Sequence, residues 1–286
     1  MKKFKQFFKS TIWNNRNYYK KTQKNKLEFQ SDQYVLKIKT LAQKSNYVLD
    51  CGCGDGSVVK FIANKSGEFH GIDISPLAIK LSKSGRKSIN IKFTKMDLEK
   101  IEFPDNHFDL VYSAYVLEHL DNPEKVIREM IRVCKPRGLL IFLSPNLGSP
   151  IDYRQCIISH VKSPVTLAIK RFIKSHMYCI FNPKKLNWDK IYPNYIRKKK
   201  WQSDWDAITA PYIQTLIYFL KNQNIQIVDS SEKMITSTIW KDKNNYTFYL
   251  TVLKLFRNFI TFLGNMGMSP YKYYGETLYI VGRKMI

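Results

Sequence analysis

Residues 47–64 read YVLDCGCGDGSVVKFIAN. A short apolar run ends in Asp50, glycines follow at alternate positions (Gly52, Gly54, Gly56), and an apolar helical pattern takes over. Glycine accepts backbone conformations closed to other residues and lets a chain pass close to a ligand. The spacing therefore predicts a sharp strand-to-helix turn with bare backbone N–H groups facing a ligand at a helix N-terminus. The small side chains of Cys51 and Cys53 fit the same loop. A turn without a ligand also favours glycine, so the flanking chain decides the reading.

A second apolar run, residues 68–74 (EFHGIDI), ends in Asp73 and Ile74. An acid at a strand end, about twenty residues past the glycines, is placed to accept two hydrogen bonds from ribose hydroxyls. A third run, residues 90–98 (NIKFTKMDL), ends in Asp97, which can accept from an adenine amino group between the apolar walls of Met96 and Leu98. A fourth strand, residues 107–114 (HFDLVYSA), leads into the helical turn YVLEHL, and a fifth, residues 138–144, follows KPRG.

Residues 48–146 resemble the core of the class I S-adenosylmethionine-dependent methyltransferases, in particular the small-molecule branch called type 11. The resemblance rests on VLDCGCGDGSVVKF, FHGIDISPLAI and MDLEKIEFPDNHFDLVYSAYVLEHLDNPEKVIREMIRVCKPRGLLIFLSPN, and TLYIVGRK near residue 280 is similar to the family's last strand. It implies S-adenosylmethionine as cofactor. By the same resemblance Asp50 orients the amino-acid end of that cofactor, Gly52 and Gly54 lie beneath it, Asp73 holds the ribose and Asp97 the adenine, while Ser113, Ala114 and Tyr115 close over the methionine moiety. Arg137 departs from the family, which carries a glycine there; a type I turn begun by Pro136 would admit arginine.

The expected architecture is a Rossmann-like, seven-stranded, mostly parallel sheet with helices on both faces and helical insertions after strands five and six. Residues 1–30 read as a basic, aromatic arm and residues 31–286 as the methyltransferase domain, with insertions at 145–206 and 232–275. Within it, residues 32–44 read as a helix with Tyr34, Val35, Ile38 and Leu41 on one face. Residues 207–222 read as a helix, 224–230 as strand six and 276–283 as strand seven. Insertions at the carboxyl edge of such a sheet lie beside the methyl donor and are natural acceptor-binding parts.

The chain has 47 Lys and Arg against 23 Asp and Glu, a formal net charge of +24. The excess sits on the appendages: residues 1–27 hold nine basic residues and no acid, and residues 184–200 hold seven against Asp189 alone. That distribution suits an anionic surface, either a membrane face, a phosphorylated lipid or a nucleic acid, with nucleic acid ranked behind the membrane. In the arm, Phe4, Phe7 and Phe8, with Ile12, fall at helical spacing among lysines, the pattern of a helix lying on a membrane or of a lid on its own domain. Residues 246–263 (YTFYLTVLKLFRNFITFL) approach spanning length, but Lys254 and Arg257 near the middle would each cost about 2.5 to 3.5 kcal/mol in a bilayer. An interfacial helix, a lid for a lipid-linked substrate, a buried helix or a dimer contact remain the readings there.

Methyl transfer from a sulfonium is an in-line displacement in which positioning and exclusion of water supply much of the rate, with a base needed for a hydroxyl acceptor. His119 in YVLEHL is the first candidate base and Glu118 the second; the histidine could equally pack or hydrogen-bond locally. His160 and His176 are weaker candidates. Five scattered cysteines without a CxxC pair predict neither disulfides nor zinc. The absence of an N-P-P-aromatic run after strand four argues against amino-methylating enzymes of DNA and protein glutamine, and the broken GxGxxG phase argues against a nicotinamide dehydrogenase. With no apolar h-region near the N-terminus, a cytoplasmic protein is expected, peripheral at the inner membrane face.

The resulting expectation is an S-adenosylmethionine-dependent methyltransferase acting on a small-molecule or lipid-linked acceptor: a surface-glycan sugar, a polyprenyl compound or another metabolite. One alternative is an RNA methyltransferase, motivated by Trp188, Tyr192, Tyr195 and Trp201 among basic residues. The other is a cofactor-binding scaffold that transfers nothing.

Overall fold

The fold comes from a computed structural model that describes residues 13, 15–16, 18–19, 26–84, 90–152, 164–191, 206–231 and 258–286. Nine strands are present among them: β1 (Tyr47–Cys51), β2 (Glu68–Asp73), β3 (Ile91–Lys95), β4 (Phe108–Ala114), β5 (Cys134–Pro145), β6 (Asp189–Lys190), β7 (Thr209–Ala210), β8 (Ile225–Ser230) and β9 (Thr277–Lys284). Seven form one sheet in the order β3-β2-β1-β4-β5-β9-β8, and β6 pairs antiparallel with β7. β1 runs parallel to β2 on one side and to β4 on the other, and β4 runs parallel to β5. Strand order reverses between β1 and β4, so a crevice opens at their carboxyl ends, where open α/β sheets bind ligands.

The flanking helices are α1 (Lys26–Ser31), α2 (Gln33–Ala42), α3 (Ser57–Ile62), α4 (Pro76–Ser82), α5 (Pro123–Val133), α6 (Pro164–Phe181) and α7 (Ile213–Lys221). The expected Rossmann-like sheet with flanking helices is present. The chain forms two compact units. One comprises Met1–Leu143 with Asn224–Val228 and Val281–Ile286; the other comprises Ser144–Gln223 and Asp229–Ile280.

In the first unit, β1 and β4 are buried along most of their length, and Leu49, Phe69, Ile72, Phe108, Tyr112 and Phe142 are fully buried. Asp32 caps α2, accepting from the N–H groups of Tyr34 at 2.7 Å and Val35 at 3.2 Å. That helix buries Val35, Ile38 and Ala42; each large side chain so buried stabilises the fold by about 1.5–3 kcal/mol. α5 opens on Pro123 with Glu124 in its first turn and buries Val126, Ile127, Met130 and Val133. Its Arg132 bridges Glu129 and Asp105 and donates to the carbonyls of Ile101 and Phe103, which clamps the segment between β3 and β4.

Two local expectations are corrected. β5 begins at Cys134, not near residue 138, because Cys134 already pairs with Phe108 and a register shift before Leu110 absorbs the turn. Within that turn Arg137 has φ 66°. This left-handed conformation, which glycine prefers, does not fit the type I geometry expected.

The second unit is braced by Asn146. Its amide donates to the carbonyls of Tyr273 at 2.9 Å and Gly275 at 2.7 Å and accepts from the N–H of Ile213 at 3.1 Å. α7 starts at Ile213 and not at residue 207, since Thr209–Ala210 pair as β7 and a residue before Pro211 is pushed out of the helical region. Trp188, a candidate for stacking bases, is buried and donates to Thr215 Oγ1 at 2.8 Å. Tyr192, Tyr195 and Trp201, the arm's Phe4, Phe7, Phe8 and Ile12, Cys156, His160 and most of the 246–263 stretch lie outside the described residues. Residues 258–265 are helical. Among the described residues no helix is long and apolar enough to cross a membrane.

Candidate active site

The site is built where β1, β2, β3 and β4 end. Asp50 and Tyr112 are register partners on adjacent parallel strands, so their side chains leave the sheet together. The Tyr112 hydroxyl donates to Asp50 Oδ2 at 2.8 Å, and both residues are buried. Burial pushes the Asp50 carboxyl up to about 7; the charge of Asp73 adds to this, and the Tyr112 hydrogen bond opposes it.

Asp73 accepts from the N–H of Gly54 at 3.0 Å through Oδ2 and from that of Ser75 at 2.8 Å through Oδ1. Desolvation still leaves it above the usual carboxylate range, despite these donors. Ile74 is half-buried beside it, and Ser75 caps α4 by accepting from Ala78 N–H.

Most of the loop's N–H groups are engaged within the protein, that of Gly54 by Asp73. Those of Gly52 and Cys53 donate to Ile72 O, that of Gly56 to Cys53 O, and that of Ser57 to Asp55 Oδ1. At these positions the donors expected to be bare are instead held by the protein. The glycines serve shape instead: all three have left-handed φ, between 51° and 93°. A Cβ on Gly56 would meet Phe93 Cζ at 2.6 Å, whereas a Cβ on Gly54 would meet nothing within 4 Å. Cys51 and Cys53 are buried free thiols, and burial pushes both up, so they stay protonated and are poor nucleophiles.

Asp97 is exposed after β3 and accepts from Glu99 N–H at 3.0 Å, between buried Met96 and Leu98. The Met96 sulfur accepts from Glu102 N–H at 3.3 Å. At the end of β4, Ser113 is buried with its Oγ lacking any hydrogen-bond partner, and Ala114 is half-buried. Tyr115 adopts φ 59°, keeps its ring exposed and donates to Asp32 Oδ2 at 2.7 Å. Glu118 and His119 follow in a 3-10 turn; Glu118 is buried, and His119 Nε2 stands 3.7 Å from Glu118 Oε1. His176 lies apart, in the second unit, with Nδ1 2.8 Å from Phe172 O and Nε2 3.3 Å from the Tyr271 hydroxyl.

Sequence reasoning missed the contribution of the N-terminal segment. Ser75 Oγ donates to the carbonyl of Trp13 at 2.6 Å, and the buried Tyr19 hydroxyl donates to the same carbonyl at 2.9 Å. The Trp13 and His119 rings meet edge to face, centroids 6.1 Å apart. Trp13 thus spans from the neighbour of Asp73 to the candidate base. No motif marks it in the sequence. The link from Asp50 to Tyr112 is equally invisible there, because β1 and β4 become neighbours only in the sheet.

Residues 49–142 match a family described as a methyltransferase domain, of type 11. Residues 49–142 carry a methyltransferase domain. Over 105 residues this domain is 34% identical to the ubiquinone/menaquinone biosynthesis C-methyltransferase UbiE of Pseudomonas savastanoi, an alignment covering 34% of the present chain and 41% of that protein. The chain thus spans less than half the length of the curated relative it matches. The methyltransferase fold extends further than the sequence match. A chain from the Haloferax volcanii complex between the Trm112 methyltransferase activator and a methyltransferase superposes with TM-score 0.52 at 13% identity, covering 99% of this chain and 98% of that one. A Listeria monocytogenes S-adenosylmethionine-dependent methyltransferase superposes with TM-score 0.52 at 16% identity, covering 84% and 92%.

The candidate site suits S-adenosylmethionine on its own chemistry. The charge of Asp73 raises the cost of ionising buried Asp50, the loop N–H groups named above are already engaged, and Gly54 faces open space. A ligand bringing positive charge and no phosphate relieves the first and needs nothing from the second. The orphaned Ser113 hydroxyl supplies a buried donor for a polar ligand atom.

Proposed function

We propose that this chain transfers the methyl group of S-adenosylmethionine to a small-molecule or lipid-linked acceptor, working at a membrane surface. The observation that carries the reading is the carboxylate pair at the switch point of the sheet, Asp50 buried and Asp73 half-buried, each held by a hydrogen bond. S-adenosylmethionine supplies a methyl group on a positively charged sulfur, together with an ammonium group.

In this reading Asp50, steadied by Tyr112, orients the amino-acid end, and Asp73 binds the ribose with its oxygens aligned by Gly54 and Ser75. Asp97, flanked by Met96 and Leu98, takes the adenine edge. Ser113, Ala114 and Tyr115 close the methionine end, and Trp13, joined to Ser75 and His119, helps exclude water, which strengthens every charge interaction inside. His119, or Glu118 behind it, accepts the acceptor's proton where the acceptor is a hydroxyl. The insertions at 145–206 and 232–275 bind the acceptor. The name of the UbiE relatives favours a quinone-like ring carbon as one acceptor class.

Calorimetric titration of the purified protein with S-adenosylmethionine and with its demethylated product, alongside Asp73→Ala, tests the reading. Micromolar binding abolished by the substitution is expected. A folded wild-type protein that binds neither compound would leave the non-transferring scaffold as the better account.

A further inference from the structure

The second unit carries apolar surface that its own core does not use. In α6 the side chains of Ile169, Ile173, Met177, Ile180 and Phe181 are all exposed, from 41% at Met177 to 71% at Ile180. At 100° per residue the five fall within about 120° on one side of the helix, a sector shared with the exposed Lys170, while Arg171, Ser175 and Tyr178 on the other side are buried. The helical residues 258–265 repeat the pattern, with Phe259 and Phe262 exposed and Met266 exposed just beyond. A stripe of this length on one helix exceeds the scattered apolar residues of an ordinary protein surface and marks an interaction site.

The charge around the stripe selects the partner. Residues 164–191 contain six lysines and arginines and a single acid, Asp189. Asp189 is already held by Arg171 at 3.1 Å and Lys174 at 3.3 Å, while Lys170, Lys184 and Lys185 stand exposed. A second copy of the chain packed symmetrically on this helix would set these cations against themselves. A bilayer containing anionic lipid offers acyl chains to the stripe and negative headgroups to its basic border.

We infer that α6 is an in-plane membrane anchor, its Ile169–Ile173–Met177–Ile180 face entering the headgroup boundary of an anionic bilayer. This specifies the membrane part of the proposed function and stands independently of methyl transfer. The test is co-sedimentation of the full chain with vesicles of phosphatidylcholine alone and of phosphatidylcholine mixed with phosphatidylglycerol, for wild type and the double variant Ile173→Glu/Ile180→Glu. Both positions are exposed, and circular dichroism checks that the variant is folded. The expected result is binding to the mixed vesicles that weakens with salt, is far lower on phosphatidylcholine alone, and drops by about tenfold or more in the variant. Unchanged binding in the variant would overturn the anchor, as would a wild type that never sediments with the mixed vesicles. A dimer in light scattering that the variant dissociates, without vesicle binding, would assign the face to a second copy instead. Failure of S-adenosylmethionine to bind, with sedimentation intact, would count against methyl transfer and leave the anchor standing.

Discussion

The Tyr112 hydroxyl and Asp50 Oδ2 lie 2.8 Å apart in the buried layer between β1 and β4, a hydrogen bond that holds the carboxylate at the mouth of the glycine loop. The carboxyl titrates near 7 because burial and Asp73 outweigh that one donor.

Affinity for S-adenosylmethionine should therefore rise as pH climbs through about 7 and level off above it, because a cationic ligand end favours the ionised acid. Tyr112→Phe removes the stabilising donor, so its titration midpoint should move upward and its affinity near neutrality fall by about tenfold, the worth of one hydrogen bond to a charged group. Calorimetry across the pH range reads both. The stability effect of Asp50 has the opposite sense. Its folded-state pKa lies above the unfolded value, so its contribution is full below about pH 4 and is lost as pH rises through about 7. Melting curves of Asp50→Asn should lack that loss.

Gly54 and Gly56 should separate function from folding. Gly54→Ala places its methyl in open space at a left-handed φ, at a cost of about 1–2 kcal/mol, and should fold while binding the cofactor more weakly. Gly56→Ala drives a methyl into the Phe93 ring at the same kind of φ, and overpacking adds about 1–3 kcal/mol. Denaturant titration and calorimetry on the pair should show the larger stability loss at Gly56.

The N-terminal segment should behave as part of the site. Trp13→Ala removes the ring against His119 while leaving the Ser75 hydrogen bond to the backbone carbonyl, so cofactor affinity should fall by about tenfold with little change in melting temperature. Tyr115→Phe, which loses the bond to Asp32, should act in the same direction but more weakly, because that bond is exposed. Equal affinities for wild type and both variants would remove the segment from the site.

Arg137→Gly is expected to stabilise the protein by about 1 kcal/mol by relieving a left-handed arginine, without changing cofactor affinity. Paired urea titration and calorimetry check the two halves of that statement.

The parallel sheet and the positions of Asp50, Asp73 and Asp97 at three strand ends were legible in the sequence because each depends on local pattern: an apolar run, an acid where it stops, and glycine where only glycine fits between Gly56 and Phe93. Turn geometry was less legible. Arg137 takes its left-handed φ where β4 and β5 shift register, a feature the residues of the turn do not encode. Tertiary structure alone decided which side chains meet. Tyr112 reaches Asp50 across 62 positions of sequence, Tyr115 reaches Asp32 across 83, and Ser75 holds Trp13 across 62. It alone also decided which face of α6 stays uncovered. Hydrophobic pattern and glycine placement act through near neighbours along the chain, whereas strand order, register and the choice of buried face are set by packing among distant segments, and only the folded chain brings those together.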